Sequence, residues 1–340
     1  YNKGLPLSIR SSFYPILGER TWGWPGHIID ILAVLATLFG LATSLGLGAK
    51  QAAAGINHIF GIEGGIGLQI GIIVGVTGIA VVSVVRGLDG GVKLLSNINM
   101  LVALALLVFV AMVGFAVAMG NFATTVIAYI ENIIPLSNPH GRTDEAWFQG
   151  WTVFYWAWWI SWSPFVGMFI ARISSGRTVR EFIIAVLLVP TLITTIWMSI
   201  YGGLAIDQVL NGIGALGTEG LSDVSLAMFQ MFDQLPMSTL LSVIAIILVL
   251  IFFVTSSDSG SLVIDSITSG GKIDAPVPQR IFWASLEGVI AAVLLWIGGA
   301  EAIQALQAGA ISTGLPFTIV LLFMCVSLVM GFRTEKGISY

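Results

Sequence analysis

Cysteine, histidine and charge are all scarce in this sequence. The lone Cys325 excludes a disulfide or a cysteine-based metal site within the chain, and His27, His58 and His140 are too far apart for metal-ligand spacing. Charged residues make up 9% of the 340 residues, whereas soluble domains carry about 25%. Because 56% of the residues are hydrophobic, the composition indicates a membrane protein with several spans.

Several kinds of chemistry are also missing from the sequence. It contains no basic patch, phosphate-binding loop or nucleophile–base pair, and the serine-rich run at 256–261 has no partner histidine. We therefore expect no enzymatic activity, no cofactor, no transition-metal site and no nucleic-acid partner. The first residue is Tyr1 and no signal peptide is visible, which predicts a fragment or a processed chain.

Apolar stretches long enough to cross a membrane as helices recur along the chain. The eight predicted spans are 28–49, 65–85, 99–119, 149–171, 181–206, 237–263, 281–299 and 310–331. Residues 1–26 are polar and mixed and predict a cytoplasmic lead-in. This orientation leaves only Lys50 and Arg142 outside, so that 12 of the 14 basic residues, Lys336 included, are cytoplasmic.

Two further stretches carry local predictions. Residues 120–148 predict an outer segment in which 124–134 is either an amphipathic helix on the membrane surface or an ordinary surface helix, ended by Pro135 and the turn Asn138-Pro139-His140-Gly141. In the second span, Gly67, Gly71 and Gly75 recur every four residues. Small residues at this spacing predict close packing against another helix.

The fourth span is unusually rich in tryptophan. At about 100° per residue, the rings of Tyr155, Trp151, Trp158, Trp159 and Trp162 share one face of a helix, and only Trp156 is set apart. Membrane tryptophans usually lie at the water interface, but these continue two turns into the span. Such a face attracts a quaternary ammonium ligand, because a cation without hydrogen-bond donors binds to ring faces. A packing stripe combined with an interface belt is the alternative interpretation.

The sixth span ends in hydroxyl groups and a carboxylate, at 255–261. Such groups are costly in a membrane unless they line a cavity or bind a ligand, and oxygen ligands suit Na⁺, above all where a helix unwinds. Thr37 and Ser44 of the first span could likewise supply ion oxygens. The alternative is that these hydroxyls bond to their own helix. Asp30, Asp265 and Glu287 are candidates for pairs with cytoplasmic arginines or, alternatively, for a proton relay.

Two motifs carry a specific resemblance. The segments Trp156-Ala-Trp-Trp-Ile-Ser-Trp-Ser-Pro-Phe-Val-Gly-Met168 and Ala171-Arg-Ile-Ser-Ser-Gly-Arg-Thr-Val-Arg-Glu-Phe182 look like the signature of the betaine/choline/carnitine transporter family. The run at 255–259 and the segment at 44–48 resemble its patterns too. The resemblance extends over essentially the whole chain.

The resemblance implies an all-α membrane fold of twelve helices with a five-plus-five inverted-repeat core, commonly a homotrimer in the cytoplasmic (inner) membrane. On that scheme the eight spans here resemble the last eight helices, and the first four are absent. Residues 28–119 would then be three spans of the first repeat and 149–331 the five spans of the second, within one partial transporter domain at 1–340. Residues 124–134 would resemble the curved surface helix of the family.

The resemblance also implies site residues. It assigns Trp159 to the substrate site, with Trp162 beside it and Trp156 and Trp158 along the pathway; Tyr155 joins them from its position on the aromatic face. For sodium it implies one site with Thr255, Ser256 and the backbone near Phe252, and a second with Thr37 and Phe165. In the family pattern, the second site includes a hydroxyl residue one turn after Thr37, where this chain has Leu41. Coupling to a single sodium ion, or to protons, therefore stays open.

We therefore predict a secondary active transporter that imports choline or glycine betaine by alternating access, with Na⁺ as the coupling ion. A proton-coupled choline transporter of the same family is the alternative. A cation channel is a third interpretation, but the sequence shows no ring of charges and no filter repeat.

Overall fold

A computed structural model of the protein describes residues 3–86, 91–272 and 276–334. Within these residues every regular element is a helix and none is a strand. Nine long helices organise the described residues: α1 Trp24–Phe60, α2 Ile66–Arg86, α3 Gly91–Val113, α4 Phe115–Ser137, α5 Phe154–Ile173, α6 Val179–Leu210, α7 Ser238–Thr268, α8 Val277–Gly298 and α9 Ala302–Thr334. The predicted all-α membrane fold is confirmed at this level.

Seven of these helices are long and apolar enough to cross a membrane, counted over the described residues: α1, α2, α3, α6, α7, α8 and α9. The predicted span at 149–171 corresponds to α5, a helix of 20 residues. Its indoles, hydroxyls and Pro164 make it less apolar than the other seven. The eighth crossing and the inverted repeat therefore stay predictions.

The longest helix, α1, lies at the centre of the described bundle. It contacts α2, α5, α7, α8 and α9, and glycines permit the close approaches. A Cβ on Gly48 would lie 1.6 Å from the Phe253 ring on α7, and one on Gly46 would lie 2.4 Å from Leu306 on α9. Small residues thus bring α1 close to two neighbours at once, and the buried face of α1 forms the core around which the site is built.

The boundary between the third span and the outer segment differs from the prediction. The predicted span 99–119 is wrong at its end, because α3 stops at Val113 and residues 115–119 already belong to α4. A Cβ on Gly114 would lie 2.5 Å from Leu204 Cδ2, so the chain turns where α6 approaches it. The predicted end at Pro135 and the following turn agrees with the structure, since α4 stops at Ser137 and the turn at 138–141 follows it.

Two further predictions are corrected or left aside. Gly67, Gly71 and Gly75 do not pack closely against a described helix, because a Cβ on any of them would meet no atom within 4 Å. The predicted packing role is therefore wrong for the part of the chain that the structure describes. Lys336, which the orientation prediction placed in the cytoplasm, lies outside the described residues.

Arg142 organises the segment between α4 and α5. Its Nε and Nη2 donate to the two carboxylate oxygens of Asp144 at 2.8 and 2.6 Å, and its Nη1 donates to the Pro135 carbonyl at 2.9 Å. The guanidinium group also lies 4.7 Å from the centre of the Phe148 ring. The hydrogen bonds from Arg142 hold the pKa of Asp144 below its usual range. The Arg142 side chain thus holds the end of α4 and the segment that leads into α5 together.

Candidate substrate and ion sites

The aromatic helix α5 lies between α1 and α9. The Ser161 hydroxyl donates to the Ala310 carbonyl of α9 at 2.9 Å. A Cβ on Gly314 of α9 would lie 2.8 Å from the Ala157 carbonyl oxygen, so the two backbones are nearly in contact there. Direct backbone contact and a buried hydrogen bond therefore set the position of α5.

Two indoles of α5 are fixed by their N–H groups to α1. Trp162 Nε1 donates to the Gly40 carbonyl at 3.0 Å and to Ser44 Oγ at 3.0 Å. Trp158 Nε1 donates to the same two atoms at 3.3 and 3.2 Å. Gly40 is needed here, because a Cβ at this position would lie 3.0 Å from Trp162 Cδ1. Both rings are thus oriented by their edges, which leaves ring faces available for a ligand.

Four rings of α5 line one open cavity of about 240 Å³: Tyr155, Trp158, Trp159 and Trp162. The edge of Tyr155 meets Trp158 at 5.6 Å between ring centres, and Phe154 stacks on Trp158 at 5.5 Å with a 14° interplanar angle. Trp159 is 71% exposed, so its ring contributes a wall with a free face. The structure therefore brings together four of the five predicted substrate residues.

Trp156, the fifth, lies apart from this cavity. It lines a neighbouring cleft of about 410 Å³ between α4 and α5, together with Tyr129, Trp147 and Trp151. Trp151 also stacks on Tyr155, with ring centres 5.8 Å apart and planes at 11°. The helical arc set Trp156 apart, in agreement with this arrangement, but it wrongly grouped Trp151 with the four rings of the cavity, because Phe148–Val153 is a π-helix to which the 100° step does not apply.

The predicted hydroxyl site at the end of the sixth span lies on an unbroken helix. Helix α7 continues through this run to Thr268, so the expected unwinding with freed carbonyls is not found there. Thr255 Oγ1 donates to the carbonyls of Ile251 and Phe252, both at 3.0 Å. Ser256 is half-buried and Phe252 is exposed. The sodium role of Thr255, Ser256 and Phe252 stays a prediction.

The residues of the second predicted ion site lie in one buried core. Thr37 is fully buried and donates to the Ala33 carbonyl at 2.8 Å. Phe165 meets the Trp162 ring at 5.4 Å between centres. Leu41 is also buried, and its methyl group would lie 2.2 Å from a Cβ on Gly260. An apolar side chain therefore fills the position where the family pattern expects a hydroxyl group.

The buried carboxylates divide into two groups. Arg10 bonds to Asp30 through both its backbone N–H and its guanidinium group, and Arg280 Nε lies 3.3 Å from Asp265 Oδ2. The predicted pairing with arginines is confirmed for these two acids. Glu287 instead accepts a hydrogen bond from the Ser257 hydroxyl at 3.2 Å.

Metal-ligand groupings are not found among the described residues: no three His, Cys, Asp or Glu side chains come together there. His58 lies 2.9 Å from Asp233, near the C-terminal end of α1. The residues that sequence reasoning did not connect to the aromatic site are Gly40, Ser44 and Phe154. The signal for Gly40 was available only as one glycine among 40, and its partner could not be known before the helices were packed.

Seven long apolar helices among the described residues, with an aromatic cavity on a further helix, are typical of a polytopic helical membrane protein. The chain belongs to the betaine/carnitine/choline family transporters (BCCT), whose family model matches residues 1–337. Proteins of this family are transporters and not enzymes.

Three curated relatives come from Vibrio parahaemolyticus serotype O3:K6 (strain RIMD 2210633). Glycine betaine transporter 1 is 74% identical over 336 residues, which are 99% of this chain and 64% of that protein. A glycine betaine/proline/choline/ectoine transporter is 69% identical over 98% of this chain and 60% of its own length. A glycine betaine/proline/choline transporter is 55% identical over 100% of this chain and 61% of its own length. The chain thus spans about three-fifths of the length of these relatives.

Proposed function

We propose that the protein containing this chain is a secondary active transporter that imports a quaternary ammonium osmolyte, glycine betaine or choline, across the cytoplasmic (inner) membrane. Na⁺ is the coupling ion, and transport proceeds by alternating access. The relatives named above as glycine betaine and choline transporters support the substrate class. The functional unit is a homotrimer, which native mass spectrometry of the detergent-purified protein tests directly.

The observation that carries this proposal is the four-ring cavity on α5. A trimethylammonium group has no N–H to donate, so it gains most from ring faces and little from polar groups. The indole N–H groups of Trp158 and Trp162 are already bonded to Gly40 and Ser44, which makes the cavity wall almost purely aromatic. Glycine betaine and choline share the methylated nitrogen, so these four rings give no basis for choosing between them.

The arrangement of Thr255 is compatible with an ion site. Its hydroxyl proton is donated to the carbonyls of Ile251 and Phe252, and the oxygen lone pairs remain available to a hard cation such as Na⁺. Ser256 is adjacent and half-buried. Further oxygen ligands would have to come from groups beyond these two hydroxyls.

The substrate assignment is tested with the full-length protein in bacteria that lack their own osmolyte uptake. Trp159→Leu should lower radiolabelled glycine betaine or choline uptake at limiting substrate by roughly 2- to 30-fold, because one cation–π contact contributes about 0.5 to 2 kcal/mol. The matched control is Trp296→Leu, since Trp296 on α8 is 72% exposed but does not line the cavity. Equal uptake by the two variants would remove Trp159 from the substrate site.

The ion assignment has its own test. Thr255→Ala combined with Ser256→Ala should reduce the stimulation of uptake by sodium relative to potassium medium. Thr268→Ala combined with Ser269→Ala removes a second adjacent hydroxyl pair from the same helix, also bonded to its own backbone, and should leave the stimulation intact. Unchanged sodium stimulation in the first pair would exclude an ion site on this segment.

Two alternatives remain distinguishable in the same system. A proton-coupled choline transporter would take up substrate equally well with and without sodium and would acidify the interior of proteoliposomes as choline enters. A cation channel would carry unitary currents in planar bilayers that far exceed transporter turnover. Either result would replace sodium-coupled transport as the mechanism.

A further inference from the structure

A second cavity lies along α5, near the C-terminal end of that helix. It has a volume of about 180 Å³ and is formed mainly between α5 and α7, with Leu7 of the N-terminal segment also in its lining. Most of its walls are apolar, but they include the basic residue Arg172 and the hydroxyl residues Ser259 and Ser266. We call this space the Arg172 cavity, and its polar groups are not used by the sites described above.

Helical spacing places the polar residues on the two faces that enclose this cavity. Ser259 and Ser266 are seven residues apart, which is about two turns, so both lie on one face of α7. On the other side, Arg172 follows Phe169 by three residues, and side chains at this spacing are neighbours on the helix surface. The Arg172 cavity therefore combines a basic side chain, two hydroxyls and an aromatic ring.

A row of rings on α5 connects the four-ring cavity with the Arg172 cavity. Trp162, which lines the first, meets Phe165 at 5.4 Å between ring centres, and Phe165 lies 6.4 Å from Phe169, which lines the second. Phe169 follows Trp162 by seven residues, or about 10 Å along the helix axis. In glycine betaine a single methylene group joins the nitrogen to the carboxylate, so one molecule is too short to occupy both cavities at once.

Arg172 supplies the positive charge of its cavity. A guanidinium group carries five N–H donors in a planar fork and holds a carboxylate by two of them, which Arg172 can do beside the interaction that it has within the chain. Asp265, which precedes Ser266 on α7, forms its ion pair with Arg280 of α8 at 3.3 Å. In the predicted orientation the Arg172 cavity lies on the cytoplasmic side of the four-ring cavity.

We propose that the Arg172 cavity is a second substrate site, which binds the carboxylate of glycine betaine on its way into the cytoplasm. The guanidinium group of Arg172 is the main hydrogen-bond donor to that carboxylate, and the hydroxyls of Ser259 and Ser266 are further donors. The methylated nitrogen lies against the ring of Phe169. This inference rests on the proposed transport function and adds recognition of the end of the substrate that the four-ring cavity does not distinguish.

The same arrangement disfavours choline. Choline carries the same methylated nitrogen but has a hydroxyl group in place of the carboxylate, so its net charge is positive and Arg172 repels it. Glycine betaine is neutral overall and brings its negative end to the guanidinium group. Attraction of one substrate combined with repulsion of the other produces specificity, and the Arg172 cavity therefore makes glycine betaine the preferred substrate.

The test compares two substrates in the full-length protein, expressed in bacteria that lack their own osmolyte uptake. The measured quantity is the ratio of Vmax/KM for radiolabelled glycine betaine to that for choline. Arg172→Gln should lower this ratio by roughly 10-fold, the lower end of what loss of a charge-assisted hydrogen bond produces, because Arg172 is exposed. Arg172→Lys keeps the charge but not the planar fork and should retain part of the preference. The matched control is Arg177→Gln, since Arg177 is also exposed but does not line the cavity.

Equal losses for both substrates in Arg172→Gln, or an equal change of the ratio in Arg177→Gln, would overturn the inference, because a structural role or a general surface charge would then explain the effect. Should Arg172→Gln fail to reach the membrane, Ser266→Ala tests the same site and should lower the ratio by roughly 2- to 10-fold; an unchanged ratio there would also overturn it. A wild-type protein that carries both substrates but prefers choline refutes this inference alone. A wild-type protein that carries neither refutes the proposed function itself.

Discussion

Ser44→Ala tests whether the hydrogen bonds between α1 and the two indoles orient the rings of the four-ring cavity. The Ser44 hydroxyl accepts hydrogen bonds from Trp158 at 3.2 Å and from Trp162 at 3.0 Å. After the substitution both indoles still have the Gly40 carbonyl, at 3.0 Å for Trp162 but 3.3 Å for Trp158. Because N–H···O bonds usually lie within about 3.2 Å, Trp162 keeps a good acceptor and Trp158 loses its better one.

The expected loss is therefore close to one hydrogen bond, about 0.5 to 1.5 kcal/mol. Expressed as affinity, this is roughly a 2- to 10-fold rise in the apparent KM for glycine betaine or choline. The maximal rate should change less, since the ring faces are still present and only their orientation is relaxed. Radiolabelled uptake by the full-length protein over a range of substrate concentrations measures both quantities.

Thr43→Val is the matched control for this substitution. Thr43 is the preceding residue, equally buried, but its hydroxyl donates to the Leu306 carbonyl of α9 at 2.8 Å and not toward α5. A double-mutant cycle adds a second criterion, because Trp158→Phe has no N–H to lose and should make Ser44→Ala nearly silent. The reasoning is refuted if Thr43→Val raises KM as much as Ser44→Ala, or if the effect of Ser44→Ala persists in Trp158→Phe.

Two further predictions concern stability. Gly314→Ala should destabilise the purified protein by about 1 to 3 kcal/mol, because the new Cβ would press on the Ala157 carbonyl oxygen at 2.8 Å. The control is Gly331→Ala on the same helix, which has only an ordinary contact at 3.5 Å and should be nearly neutral in thermal unfolding. Equal melting temperatures for the two variants would contradict the packing argument. Arg10→Ala should cost about 3 to 5 kcal/mol because it leaves the buried Asp30 with the backbone N–H of residue 10 but without the guanidinium group, and adding Asp30→Asn should recover part of this loss in the same assay. No recovery in the double variant would mean that Arg10 acts through packing alone.

Helical periodicity predicted which four rings of α5 share one face. The arc shared by Tyr155, Trp158, Trp159 and Trp162 follows from the 100° step of an α-helix, and these four rings line one cavity. The same calculation separated Trp156, which lies in the neighbouring cleft, but it failed for Trp151, which lies in that cleft too because the preceding turn, Phe148–Val153, is a π-helix. A property of one helix can be read from that helix alone.

Features that depend on two helices could not be predicted in this way. The hydrogen bonds from Trp158 and Trp162 end on Gly40, more than a hundred residues away in the sequence, and become visible only when α1 and α5 are packed. The break at Gly114 was missed because apolar residues continue on both sides of it, and a hydropathy window averages across them. The packing prediction for Gly67, Gly71 and Gly75 failed for a different reason. Their spacing indicates a packing surface, but it does not identify which segment covers that surface.

Helix α1 links three contacts that have so far been treated separately. It runs for 37 residues, about 55 Å at 1.5 Å per residue, which exceeds the roughly 30 Å hydrocarbon thickness of a bilayer. Asp30 lies near its beginning, Gly40 and Ser44 near its middle and His58 near its end, each with a partner on a different segment. A pivoting movement of α1 about its contacts with Trp158 and Trp162 would carry its two ends in opposite directions. In a rigid-body tilt of this rod, the Asp30 contact at one end and the His58 contact at the other would change together, without any relay of side chains between them.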